Sequence, residues 1–191
     1  MSRPEHQHPV LRGDAFVDEF HRQLGRLVHA HAGFDFNVGL QLNWLGPHCQ
    51  VDVSELLDPR RSQLGLRLKT LKRLVLDVFG PAGENAAAEF EAWFERADEC
   101  RAVRNDYVHG RWGVPGKYEF SGEGRMIDAE PLLTFVPLHW NMEPDRADES
   151  ASMTLGEFTS QVDTVERLFG DFFRLTKNYL EFAKARRSPS A

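Results

Sequence analysis

Cysteine is scarce in this chain: Cys49 and Cys100 are the only two among 191 residues. Two thiols so far apart in sequence build neither a disulfide framework nor a thiolate metal site. Both read as small apolar residues of a reducing compartment. No apolar run approaches membrane-spanning length. The stretch from Met1 to Pro9 is polar and holds no secretory apolar core. A cytoplasmic protein with no membrane partner is the expectation. No glycine-rich phosphate loop and no paired-carboxylate metal site occurs, so neither an NTPase nor a metal-dependent nuclease is indicated, and no metal or cofactor is expected. Glu5-His6-Gln7-His8 lacks a cluster to complete a metal site and reads as part of a polar tail. Basic residues are also short, 23 against 29 acidic ones, for a net charge of -6. That balance excludes a broad DNA-coating protein but leaves room for a local basic patch.

What is abundant is apolar and aromatic. The chain is 41% hydrophobic, with fourteen Phe and four Trp. A core of its own needs no disulfide at this length, and the surplus of rings suits helix packing and a dimer face. Residues 1–12 read as a tail, 13–185 as one helical domain, and 186–191 as a second tail. Asp14 is the candidate N-cap of a first helical region. Its apolar path runs through Phe16, Val17, Phe20, Leu24, Leu27, Val28 and His31, then Val38, Leu42 and Leu45, and stops at Gly46-Pro47. One long helix or two with a kink fit equally. His21, His29 and His31 are expected at a surface or interface. A second helix over 61–79 buries Leu64, Leu68, Leu71, Val75 and Val78. Its polar side carries Arg60, Arg61, Arg67, Lys69, Lys72 and Arg73. This is the one basic block, either a solvated face paired with acids elsewhere or a phosphate footing.

A third helix over 84–108 follows Phe90, Trp93, Phe94, Ala97 and Cys100 into Arg101 and Arg104. From Gly110 the period changes, and residues 111–140 predict a small hairpin or three-stranded flap. Residues 141–152 read as an acidic loop. Thr154 and Glu157 form a capping box for a last helix to about residue 183, apolar on two sides.

The chemistry concentrates in Arg104-Asn105-Asp106-Tyr107-Val108-His109-Gly110. On an ideal helix Arg101, Asn105 and His109 line one face, with Arg104 beside them. Gly110 suits a left-handed helix stop. Imidazole moves protons near neutral pH, and guanidinium grips phosphate at two points while staying charged. Together they suit RNA cleavage without metal, with a ribose 2′-OH as nucleophile. Arg101, Tyr107, Arg67 and Lys69 are candidate substrate contacts, and Trp112 and Tyr118 either stack bases or fill a core.

Arg104, four intervening residues and His109, with Asn105 directly after the arginine, resemble the Arg-x(4–6)-His signature of HEPN domains. The resemblance implies a mainly α, four- or five-helix bundle over residues 14–183, with the β segment as an insertion. It implies metal-independent endoribonuclease activity through Arg104, Asn105 and His109. It further implies a homodimer that joins two motifs, single-stranded RNA as substrate, and a toxin or defence role with a cognate neutralising protein. Many members of that family are instead non-catalytic dimerisation, protein-binding or RNA-binding modules, and this reading stands beside the first. Plain structural roles stand there too: a salt bridge for Arg104, a tie of the last turn for Asn105, a helix-end cap for His109-Gly110, and packing for Tyr107.

Overall fold

The computed structural model describes residues 11–58, 60, 63–83, 85–113, 131–136 and 151–185, without the side chains of residues 151 and 181–185. Residues 1–10 of the first tail, the second tail, Arg61, Tyr118, the turn signals at 115–116 and 121–124 and most of the acidic loop lie outside those residues. The fold is mainly helical with a small antiparallel sheet. In order come α1 (Asp14–His48), α2 (Ser54–Leu57), α3 (Leu64–Phe79), a 3-10 turn at Gly80–Ala82, α4 (Ala86–His109), β1 (Arg111–Gly113), β2 (Leu132–Val136), β3 (Ala151–Thr154) and α5 (Leu155–Ala185). No helix among the described residues is long and apolar enough to cross a membrane.

The first helical region is one helix of 35 residues. Asp14 is its first residue. Gly13, at φ 60°, precedes the helix, and its carbonyl accepts from the Phe16 and Val17 amides at 3.1 and 3.2 Å. Asp14 sits in the first turn, where a carboxylate favours the positive helix end. At the other end Pro47 occupies the last turn, and the Val51 amide returns to the Gly46 carbonyl at 2.8 Å. A side chain at Gly46 would meet both Val53 methyls at 2.8 Å, so glycine is required for this reversal.

By contact the chain divides into two units, Met1–Arg26 with Asp106–Gln161, and Leu27–Asn105 with Val162–Ala191. In the first unit β2 is the central strand of the order β1-β2-β3, antiparallel to both neighbours. Trp112 pairs with Phe135, and Leu133 with Met153. Alternation therefore puts these four on one face, and Leu133, Phe135 and Met153 are buried. Phe20, Tyr107 and Phe158 join them, with ring centroids 5.1–5.8 Å apart across Phe20–Phe158, Tyr107–Phe135 and Tyr107–Phe158. The third strand differs from expectation. Among the described residues it is formed by 151–154, beyond 111–140, so the end of the presumed acidic loop is strand. Met153 turns inward and Ser152 outward, a period too short to be seen in sequence.

α5 then starts with the expected capping box. The Thr154 amide donates to Glu157 Oε2 at 2.7 Å, and the Glu157 amide donates to Thr154 Oγ1 at 3.1 Å.

The second unit is helical. Trp93 is its centre, 1% exposed, with Phe34, Phe94 and Phe172 within 6.2 Å between ring centroids. Its indole Nε1 donates to the Leu168 carbonyl at 2.8 Å. Cys100 is buried here as a free thiol, and burial pushes its pKa up.

Candidate functional site at the polar end of helix α4

α4 is apolar on one side until Cys100. Phe90, Trp93, Phe94, Ala97 and Cys100 are buried, and the same path then meets Arg101 and Arg104. Arg101, Arg104 and Asn105 belong to the second unit, whereas Asp106 to Gly110 belong to the first. Arg101, Arg104 and Asn105 are half-buried. Arg101 Nε donates to Asp98 Oδ1 at 2.7 Å, one turn back on the same helix. Its guanidinium also lies over Gly65 of α3, 3.6 Å from where a Cβ would stand. Arg104 differs. Its Nη1 donates to Asn105 Oδ1 at 3.2 Å, and among the described residues it makes no ion pair. Asn105 thus accepts from the guanidinium beside it.

In the first unit His109 is the last residue of α4 and is exposed. The Gly110 amide closes the helix on the Asp106 carbonyl at 2.7 Å. Gly110 does not take the left-handed conformation expected of it; the one described glycine with positive φ is Gly13. Space is the reason for glycine here: a Cβ would fall 2.1 Å from Phe135 Cε2 and 2.8 Å from the Val136 carbonyl oxygen. Tyr107 is buried among Trp112, Phe135 and Phe158, and its hydroxyl donates to Gln161 Oε1 at 2.6 Å. Burial raises its pKa further above neutrality. Trp112 Nε1 donates to the Tyr107 carbonyl at 3.2 Å, so Trp112 is a member of this core.

The basic block of α3 is divided. Lys69 and Arg73 are exposed, while the Arg67 side chain is 13% exposed and turned onto Asp35 of α1. Arg67 Nη2 donates to Asp35 Oδ2 at 3.0 Å and lies 2.9 Å from Oδ1, off the angle that a second bond needs. For Arg67, pairing with an acid elsewhere is the outcome.

His31 is the residue that the sequence reading misplaces. It is 4% exposed rather than at a surface, and neither ring nitrogen has a hydrogen-bond partner among the described residues. Burial, then the nearby Arg104 cation, pulls its pKa down to about 4, so the ring is neutral at pH 7. Its place in the apolar path of α1, between Leu27 and Phe34, was the available signal. His21 and His29 are exposed as expected. Compared with known proteins, the chain matches no family model, and no curated protein or solved structure is significantly similar to it.

Proposed function

We propose that this chain is a metal-independent endoribonuclease of the HEPN kind, acting on single-stranded RNA. The observation that carries the reading is Arg104: a half-buried guanidinium that makes no ion pair among the described residues. Arg67 and Arg101 each have one. An unpaired cation withdrawn from water is costly unless an anion arrives, and guanidinium matches phosphate oxygens at two points. His109, exposed at the end of α4, supplies an imidazole for proton transfer. In the proposed reaction the ribose 2′-oxygen attacks phosphorus and loses its proton. The bond to the 5′-oxygen breaks, that oxygen gains a proton, and the products are a 2′,3′-cyclic phosphate and a 5′-hydroxyl. Arg104 offsets the charge that builds on the non-bridging oxygens.

The test is incubation of the pure chain with mixed RNAs in EDTA. His109→Ala and Arg104→Ala are each expected to lower the cleavage rate about 10²- to 10³-fold. DNA is expected to stay intact because it lacks the 2′-OH. Cleavage that EDTA abolishes, or that leaves 5′-phosphates, overturns the reading.

A homodimer belongs to the same proposal, and a toxin or defence role with a neutralising partner protein extends it. An apolar face supports self-association. On α1, Val28, Ala32, Phe36, Leu40 and Trp44 fall at every fourth position and are all exposed, Trp44 by 72%. That stripe also favours the second reading, a non-catalytic dimerisation module. Dimers that bind no RNA and cut none select the second reading.

A further inference from the structure

The second unit also holds a concave apolar surface that shares no residue with the run from Arg104 to His109. α1, the end of α3 and α5 line a groove of about 530 Å³, and every lining residue belongs to that unit. Positions 41, 44, 45 and 48 of α1 and 173, 176, 177 and 180 of α5 each follow one helix face, so two helix faces supply most of the lining. Its apolar wall includes Leu45 and Phe79, which are buried, and Trp44 and Phe173, which are exposed. Small-molecule sites have volumes of about 300–1,000 Å³ and combine a mainly apolar wall with a few polar groups. The groove has both properties.

Its polar groups decide what can enter. Gln41 lines the groove and is 9% exposed, and among the described residues its amide makes no hydrogen bond. The fully enclosed side-chain atoms without a partner belong to His31, Asp35 and Arg67, so the Gln41 amide is not sealed off. A nearly buried amide with two N–H groups and a carbonyl unmatched is costly unless a partner arrives. Thr176 offers no free donor, because its hydroxyl is spent on the Phe172 and Phe173 carbonyls at 3.1 and 3.0 Å. The charge has a definite sign: Lys177 and His48 are basic, and none of the described lining residues is acidic. Lys177 is exposed, and its flexible four-carbon stem gives the ammonium a wide reach.

We propose that this groove binds a small amphipathic carboxylate, with the apolar body along the walls, the acid group bonded by the Gln41 amide, and its charge balanced by Lys177. An amide N–H that donates to a carboxylate makes a stronger bond than one to a neutral acceptor. The apolar body takes the exposed Trp44 and Phe173 rings out of water. An apolar side chain of a second copy would cover those rings too, but it would close over the Gln41 amide and leave it without a bond. A guest that carries its own acceptor avoids that cost. The site rests on neither RNA binding nor RNA cleavage.

The experiment titrates octanoate, with 1-octanol as its uncharged match, into the full-length chain and follows calorimetry and tryptophan fluorescence. One octanoate per chain is expected, with an emission change that Trp44→Phe removes while binding persists. Gln41→Leu is expected to weaken octanoate binding about tenfold. Its thermal midpoint is expected to equal the wild-type value or exceed it, because the unmatched amide is gone. A lower midpoint with unchanged binding would make Gln41 structural and overturn the role of its amide. Lys177→Gln is expected to weaken octanoate about fivefold, to the level of octanol, and to leave octanol unchanged. Lys177 is exposed, so this variant decides if Gln41→Leu fails to fold. Absence of saturable octanoate binding, or an affinity that neither variant changes, overturns the site. Octanoate affinity that falls as the chain concentration rises places a second copy in the groove and overturns it as well.

Discussion

Tyr107 and His31 are both buried polar rings, yet their surroundings treat them oppositely. The Tyr107 hydroxyl has Gln161, and its carbonyl takes the Trp112 indole N–H. In the same unit Gln23, 2% exposed, donates to Glu19 and accepts from Arg26, both at 2.7 Å. No buried side-chain nitrogen or oxygen of that unit lacks a partner among the described residues. Those without a hydrogen bond among the described residues are the ring nitrogens of His31, with Asp35 Oδ1 and Arg67 Nε of one ion pair, all in the other unit. Saturated polar groups inside an aromatic cluster serve stability, because burial is then offset by bonds. Unsaturated ones lower stability, and a fold retains them where something else supplies the partner.

The comparison breaks most visibly in the aromatic cluster. Phe158 is fully buried and touches Phe20, Tyr107 and Trp112. Phe158→Ala is expected to cost about 4 kcal/mol in urea denaturation. A loss below about 1 kcal/mol would mean that this cluster is no core.

His31 is expected to respond to pH instead. The folded His31 pKa, about 4, lies below the ordinary value of 6.5. As pH falls from 6.5 the unfolded chain takes up a proton that the folded chain refuses. Stability from this group is therefore full above pH 6.5, declines toward pH 4, and is constant below. The loss is on the order of 3 kcal/mol. In His31→Leu that part of the acid slope vanishes, and stability at pH 7 is equal to wild type or higher. An unchanged slope between pH 6.5 and 4 in His31→Leu would remove His31 from the account.

Gly110 gives a smaller effect. Its missing side chain lets Phe135 lie where a Cβ would stand. Gly110→Ala is expected to cost about 2 kcal/mol by overpacking, read as a lower thermal midpoint. A neutral outcome would restore the simpler view of Gly110 as a helix stop.

The smallest contrast lies on α3. Reversing exposed Lys69 and Arg73 together, as Lys69→Glu with Arg73→Glu, is expected to change stability by only about 0.5 kcal/mol. It should weaken RNA binding and flatten its dependence on salt. Arg67→Glu would be a poor test of the same idea, because it places two carboxylates side by side at Asp35. Unchanged salt dependence in the double variant would remove this face from RNA binding.

Much of the fold is legible in the residues themselves. The apolar periods of α1, α3 and α4, and the Thr154–Glu157 box, each depend on neighbours three or four positions away, so local sequence suffices. Two of the strands are legible as a change of period after Gly110. β3 is not, because four residues show too little alternation to be told from loop. The motif from Arg104 to His109 is visible as a run of types, and its place at the end of α4 follows from the helical period. That Arg67 answers Asp35, 32 residues away, is beyond local reading.

Sequence by itself determined which segments are helices, where α5 begins, and that arginine, asparagine and histidine close α4. Only the tertiary structure decided which of those polar groups are matched. It gave Arg67 its carboxylate on another helix, left Arg104 without an ion pair among the described residues, and buried His31. The physical reason is that helical period is a property of the backbone, whereas partnership and desolvation depend on which helices meet. A histidine in an apolar path reads the same from sequence whether it is satisfied or orphaned.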